Sequence, residues 1–339
     1  MSSKIRLEFI DLAKGFCIML VVMHHMTCHI DIEIPYRTAL CSFRMPFYFM
    51  LSGLFFKTYE SFWGFLKRKV NKLLIPFFFF YISTSVCLPL FLKIIGYDVQ
   101  HADIVGIKSL YAFIYPMHQT YSNAAIWFLL CLFWCNVLFY IVYLLASKYV
   151  YPNFIIVVIC IALGGGGYVL QKYNIYLPVY WDSTLSALPF FCCGYILNKG
   201  TNVLQPNKYD KFNVFFVILC FAFVLSFSEE VILRSNEIKG TWITFLICGF
   251  LGSLGVVLCS KMIHKLPGVS FLGRYSIIIL CTHMLVIQVV LTVIRRFHFS
   301  NVCEFIVVFI CTMLSYFIII PFCKKYFPYV TAQKDVIRV

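Results

Sequence analysis

Apolar runs separated by short polar breaks recur along the whole chain, and ten of them approach the roughly 20 residues that a helix needs to cross a bilayer. They fall at about 8–30, 38–56, 72–95, 124–146, 152–171, 184–199, 212–229, 241–262, 272–294 and 302–323. The pattern predicts an all-α, polytopic membrane helical bundle of about ten transmembrane helices. The run at 184–199 is short, and the run at 72–95 contains Pro76 and Pro89. No internal repeat stands out, which lowers the case for an inverted-repeat transporter. No hydrophilic block is long enough for a soluble domain. The chain therefore reads as one integral-membrane domain over 1–339, with its core at about 6–325. No small-residue cleavage site follows the first run, so that helix is expected to be retained and not removed as a signal peptide.

Composition agrees with the pattern. The chain is 62% hydrophobic and 12% charged, whereas a soluble domain is about a quarter charged. The net charge of +14 is then no sign of a nucleic-acid partner. Basic residues in such a chain set topology and meet anionic lipid or phosphorylated ligands. With the N-terminus in the cytoplasm, most of the 28 basic residues fall on the cytoplasmic side. An even number of helices then places both termini there. Arg295-Arg296 is the discordant spot. Most of the 16 cysteines lie in apolar runs, where a thiol behaves as a small hydrophobe. No paired CxxC motifs appear, and no metal site is expected.

The first run carries the most informative polar residues. Residues 6–29 read RLEFIDLAKGFCIMLVVMHHMTCH. In one helix, Asp11 and Lys14 share a face one turn apart. Lys14 and His25, eleven positions apart, return to within about 20° of each other with a rise of roughly 16 Å. An acid, a base and an imidazole thus line one stripe of an apolar helix. Ionisable groups cost about 2.5–3.5 kcal/mol each at the centre of a membrane helix, so the stripe is expected to face a cavity or another helix. An imidazole near its ordinary pKa can take a proton from a hydroxyl nucleophile. The bland reading of His25 is a hydrogen bond between helices. His25 and His29 also have the i, i+4 spacing of a metal pair, but the other histidines are scattered singly. His24 points about 100° away and reads as packing or a supporting contact.

The second run contains SFRMPFYFMLSGLFF at 42–56. Arg44 lies inside it, and two readings stand: an ion pair with Asp11 or Asp31, or a hold on a phosphate or carboxylate ligand. Ser52-Gly53 permits close helix packing. The basic cluster Lys67, Arg68, Lys69 and Lys72 follows. It either sets topology at the lipid headgroups or docks the phosphates of a nucleotide-containing donor such as coenzyme A. Trp127, near the outer end of the fourth run, reads as an interface anchor. His283, nine residues beyond Arg274, is either packing or a second polar group facing His25. The loop at about 96–123, with Asp98, His101, Asp103, Lys108 and His118, is either a connector or a cap over a cavity.

Together and in order, these motifs resemble the acyltransferase-3 family of integral-membrane O-acyltransferases. The resemblance rests on Asp11, Lys14-Gly15 and His25; on Phe43, Met45-Pro46, Phe47-Tyr48-Phe49 and Ser52-Gly53; on the basic cluster leading to Pro76; on Trp127-Phe128-Leu129; and on Gly273, Ser276 and His283. It covers essentially the whole chain. Many members have arginine where this chain has Lys14, and lysine lacks the planar bidentate fork. The extra extracytoplasmic domain that some members carry is not expected from these residues.

The resemblance implies transfer of an acyl group, most often acetyl, from cytoplasmic acyl-CoA to a hydroxyl of a cell-surface glycan or lipid-linked saccharide. It implies His25 as general base, with Asp11 and Lys14 beside it in the catalytic set. It places Arg44, Lys67, Arg68, Lys69, Trp127 and His283 at the donor or substrate. Acyl-CoA would be a substrate, with no permanently bound cofactor, and the setting a bacterial inner membrane. The competing class is a saccharide or lipid transporter or flippase, and a third is a non-catalytic membrane subunit.

Overall fold

The computed structural model of the chain describes residues 7–59, 61–88, 90, 94, 113–114, 123–205 and 210–338. Helix dominates. Among the described residues the α-helices are, in chain order, α1 (Glu8–Met26), α2 (Arg37–Leu54), α3 (Phe62–Lys69), α4 (Ile75–Ile82), α5 (Trp127–Ala146), α6 (Pro152–Lys172), α7 (Trp181–Gly200), α8 (Val214–Phe227), α9 (Trp242–Ile263), α10 (Pro267–Arg274), α11 (Ser276–Ile294) and α12 (Asn301–Tyr326). A two-stranded hairpin, β1 (Val231–Ile232) and β2 (Glu237–Ile238), lies between α8 and α9. Six of these helices, some extended by a 3₁₀ turn, are long and apolar enough to cross a membrane, among the described residues.

Every one of the ten apolar runs overlaps a helix, but the boundaries differ. The first run ends as helix at Met26, and residues 27–30 turn away through short bonds such as His29 N–H to the Met26 carbonyl, 2.9 Å. His29 is therefore off the helix, and the helical i, i+4 relation to His25 is lost. The run at 72–95 is not one regular helix where it is described. Val70–Leu74 and Ser83–Cys87 are π-helical turns flanking α4, which has Pro76 in its first turn. Proline removes a backbone donor, and wider turns take up the resulting misfit. The run at 272–294 is split: Tyr275 leaves helical geometry (φ −112°, ψ 25°) and separates α10 from α11. Pro267 starts α10, where its missing N–H costs nothing.

The chain groups into two compact units. The first holds Met1–Phe56, Pro189–Val231 and Ile238–Ile279. Within it, α1 packs on α10, and α9 packs on α1, α2 and α8. Glycines set the closest approaches. A Cβ on Gly53 of α2 would overlap the Phe191 carbonyl of α7, and one on Gly194 would overlap the Met50 carbonyl. Likewise, a Cβ on Gly273 of α10 would overlap the Asp11 carbonyl, and one on Gly15 the Val269 carbonyl. In a bilayer, lipid tails are as apolar as leucine, so association rests on van der Waals contact between close backbones. Phe43, Phe47, Met50, Ala13, Cys17 and Val257 fill the core around these crossings.

The second unit holds Lys57–Leu188, Ile232–Glu237 and Leu280–Val339. In it, α5 packs against α3, α4, α6 and the π-turn at Val70–Leu74. Ser61 caps α3, accepting from the Gly64 N–H at 3.1 Å. Phe65 and Tyr140 meet with ring centroids 4.5 Å apart. Asn123, fully buried, donates to the Cys281 carbonyl at 2.7 Å.

Candidate functional site

In the first unit, α1 is continuous from Glu8 to Met26, so the register that aligns Asp11, Lys14 and His25 is kept. Asp11 is buried, while Lys14 and His25 are half-buried. Glu8 and Asp11 lie in the first turn, and His24 and His25 in the last. That distribution suits the helix dipole, which favours anions at its start and cations at its end. The Tyr48 hydroxyl of α2 donates to the Lys14 carbonyl at 2.9 Å and also hydrogen-bonds Ser276. Two residues of the predicted motifs are thereby tied to the α1 stripe.

The histidine end of the stripe is the more polar. His24 and His25 present their rings edge to face, with centroids 5.4 Å apart. His24 Nδ1 lies 3.8 Å from Cys41 Sγ. Arg44, nine-tenths buried in α2, hydrogen-bonds the same thiol. Arg37 stands seven residues earlier on α2, two turns away on one face, and both guanidinium groups act electrostatically on His24. Arg44 is thus beside the His24 imidazole. Its side-chain hydrogen bond is to Cys41, and among the described residues it forms no carboxylate ion pair. The sequence reading missed Arg37 and Cys41, although the seven-residue spacing from Arg37 to Arg44 was visible.

The remaining candidates belong to the second unit. Lys67, Arg68 and Lys69 fill the last turn of α3, where cations are favoured. Arg68 stacks over the Tyr59 ring at 4.5 Å, and Lys69 Nζ lies 5.4 Å from the Phe65 ring centre. Burial against this wall pushes the Lys69 ammonium down to about 8. Lys67 is exposed. Trp127 is buried, its ring centre 5.8 Å from that of Tyr180. His283 is fully buried on α11.

Asn71, next to the basic cluster, was not foreseen. Its side chain is buried and clasps the C-terminal tail. Nδ2 donates to the Ile337 carbonyl at 2.7 Å. Oδ1 accepts from the Val336 and Ile337 N–H groups at 3.0 and 2.9 Å. Lys72 pairs with Asp335 at 2.9 Å and donates to the Ala332 carbonyl at 2.8 Å. No local pattern announces partners some 266 positions apart. The loop with Asp98, His101, Asp103, Lys108 and His118 lies outside the described residues, as do Pro89 and residues 206–209. Among the described residues no group of three or more His, Cys, Asp or Glu side chains is arranged to hold a metal ion.

A stripe with a base at one end and imidazoles at the other can hold an elongated, partly anionic molecule and move a proton at its far end. A family model described as an acyltransferase domain matches residues 7–320. No curated protein and no solved structure matches the chain.

Proposed function

The chain belongs to the acyltransferase-3 family and is an integral-membrane acyltransferase, and from that premise we propose that it transfers an acyl group, acetyl in the simplest case, from cytoplasmic acyl-CoA to a hydroxyl of a cell-surface glycan or lipid-linked saccharide. The observation that carries this reading is the match over residues 7–320 of a chain whose first helix bears the Asp11, Lys14 and His25 stripe.

In this reading His25 is the general base. Its imidazole takes the proton of the acceptor hydroxyl as the oxygen attacks the thioester carbonyl. The acyl carbon–oxygen bond forms, the carbon–sulfur bond breaks, and the proton passes to the departing coenzyme A thiolate. A positioned base of this kind contributes about 10²–10⁴-fold in rate. Lys14 lies roughly 16 Å along the helix from His25, too far to serve the same carbonyl. Its role is to hold a distant part of an extended donor, with Asp11 balancing its charge. Arg44, beside His24, serves the reacting end. Lys67, Arg68 and Lys69 meet the donor phosphates, and Trp127 and His283 line the substrate path. The setting proposed is a bacterial inner membrane. Acyl-CoA is a substrate here and not a resident cofactor.

The test is glycan acylation in cells lacking the gene, complemented with wild type or His25→Ala at matched membrane levels. The expected result is restoration by wild type and a loss of at least about a hundredfold in the variant. Equal restoration by both would remove His25 from the mechanism. If deleting the gene leaves acylation unchanged while glycan accumulates inside, the protein is a transporter.

A further inference from the structure

Within the first unit, α9 and the C-terminal part of α7 border a groove of about 580 Å³, a size typical of small-molecule sites. Along α9, Leu254, Leu258 and Lys261 line it at i, i+4 and i+7. One stripe of helix therefore passes from apolar to charged over a rise of about 10 Å. Leu197 on α7 and Thr201 just past its end repeat the same change. At the charged end, Lys261 Nζ lies 3.1 Å from Asp210 Oδ1, with each side chain only 6% exposed. The side-chain amides of Asn202, Gln205 and Asn213 also line the groove.

The placement matters as much as the lining. Helix α9 is long and apolar enough to cross a membrane, and Lys261 is in its last turn. That is the depth at which lipid headgroups meet protein. The buried ion pair sets a positive and a negative group side by side at that depth, the charge pattern of a zwitterionic headgroup.

We propose that this groove binds a zwitterionic phospholipid. The phosphate lies against Lys261 and the amides, the ethanolamine ammonium against Asp210, and the acyl chains along Leu197, Leu254 and Leu258. Two helices carry the same apolar-to-polar gradient, which fits an amphiphile and not a nucleotide, polar at both ends. The site goes beyond acyl transfer and does not depend on it.

The test uses full-length protein, purified in mild detergent, stripped of lipid and offered equal amounts of phosphatidylethanolamine and phosphatidylglycerol. Native mass spectrometry counts the lipid retained. Wild type should keep phosphatidylethanolamine about fivefold over phosphatidylglycerol, the discrimination one charge-assisted contact can supply. The double variant Lys261→Met, Asp210→Asn, which removes both charges together, should lose that preference. Equal retention by wild type, preference for phosphatidylglycerol, or an unchanged preference in the double variant overturns the proposal. Should the double variant not fold, phosphatidylethanolamine with a photoactivatable acyl chain decides on wild type alone. Crosslinks should map to the peptides around Leu197 and Leu254–Leu258, and crosslinks confined elsewhere overturn the site. Neither readout measures acylation, so failure here leaves the transferase reading untouched.

Discussion

Lys69 is a residue whose chemistry departs from its sequence appearance. In KRK it reads as one of three equivalent charges. In the structure it leans on Phe65, and burial lowers its ammonium to about 8. The folded chain therefore sheds this proton before the unfolded chain does. Between about 8 and the ordinary 10.5 the unfolded state binds more protons, so this group favours folding increasingly as pH rises through that window. Its proposed hold on donor phosphate has the opposite sign, because the charge is lost there. We expect the KM for acyl-CoA to rise several-fold from pH 7 to pH 9 in wild type. In Lys69→Arg it should stay nearly flat, since a guanidinium remains charged. A parallel rise in both proteins would detach Lys69 from donor binding. The stripe of Asp11, Lys14 and His25 was legible because it depends only on helical periodicity. The approach of Cys41 to His24 was not, because it depends on how α2 is rotated against α1.

At the scale of elements, the glycines explain why short motifs recur where they do. Gly53 and Gly194 let α2 and α7 touch backbone to backbone, and Gly15 and Gly273 do the same for α1 and α10. Gly15 thus allows α1 to approach α10 closely at the position next to Lys14. Gly53→Val would drive a branched side chain into the Phe191 carbonyl, and overpacking of this kind costs about 1–3 kcal/mol. The expected outcome is a lowered melting temperature in detergent and reduced membrane level, whereas Gly166→Val, with open space around it, should leave both unchanged. Ser-Gly in an apolar run announced close packing, so this crossing was readable in part. The π-turns around Pro76 were not, nor was the clasp on the C-terminal tail. Asn71→Ala removes three hydrogen bonds, each worth about 0.5–1.5 kcal/mol. The tail should then exchange amide hydrogens faster and be clipped sooner by protease. Asn71→Asp keeps the acceptor for Val336 and Ile337 and should fall between. Unchanged exchange in Asn71→Ala would mean that Lys72 and Asp335 alone hold the tail.

For the whole molecule, orientation in the membrane is the property that charge pattern foretells and atomic packing leaves open. Basic residues are retained in the cytoplasm during insertion when they flank a span. The N-terminal segment, the 65–74 cluster, Lys261 with Lys265, and the C-terminal lysines then share one side, with the link between α1 and α2 on the other. Arg295-Arg296, between α11 and α12, runs against this pattern. In the folded chain Arg295 Nε contacts Glu304 Oε1 at 3.1 Å, and that carboxylate is largely sheltered, so one of the two charges has a fixed partner. Alkaline phosphatase, active only outside the cytoplasm, tests the arrangement directly. Fusions after His298 and after Glu33 should be active, and fusions after Lys265 and after Lys334 inactive. Activity at Lys334 would place the C-terminus outside and imply an odd number of crossings. It would also carry the basic cluster clasped to the tail through Asn71 to the face opposite cytoplasmic acyl-CoA. The donor role of Lys67, Arg68 and Lys69 would then fail, while the role of His25 would stand on its own test.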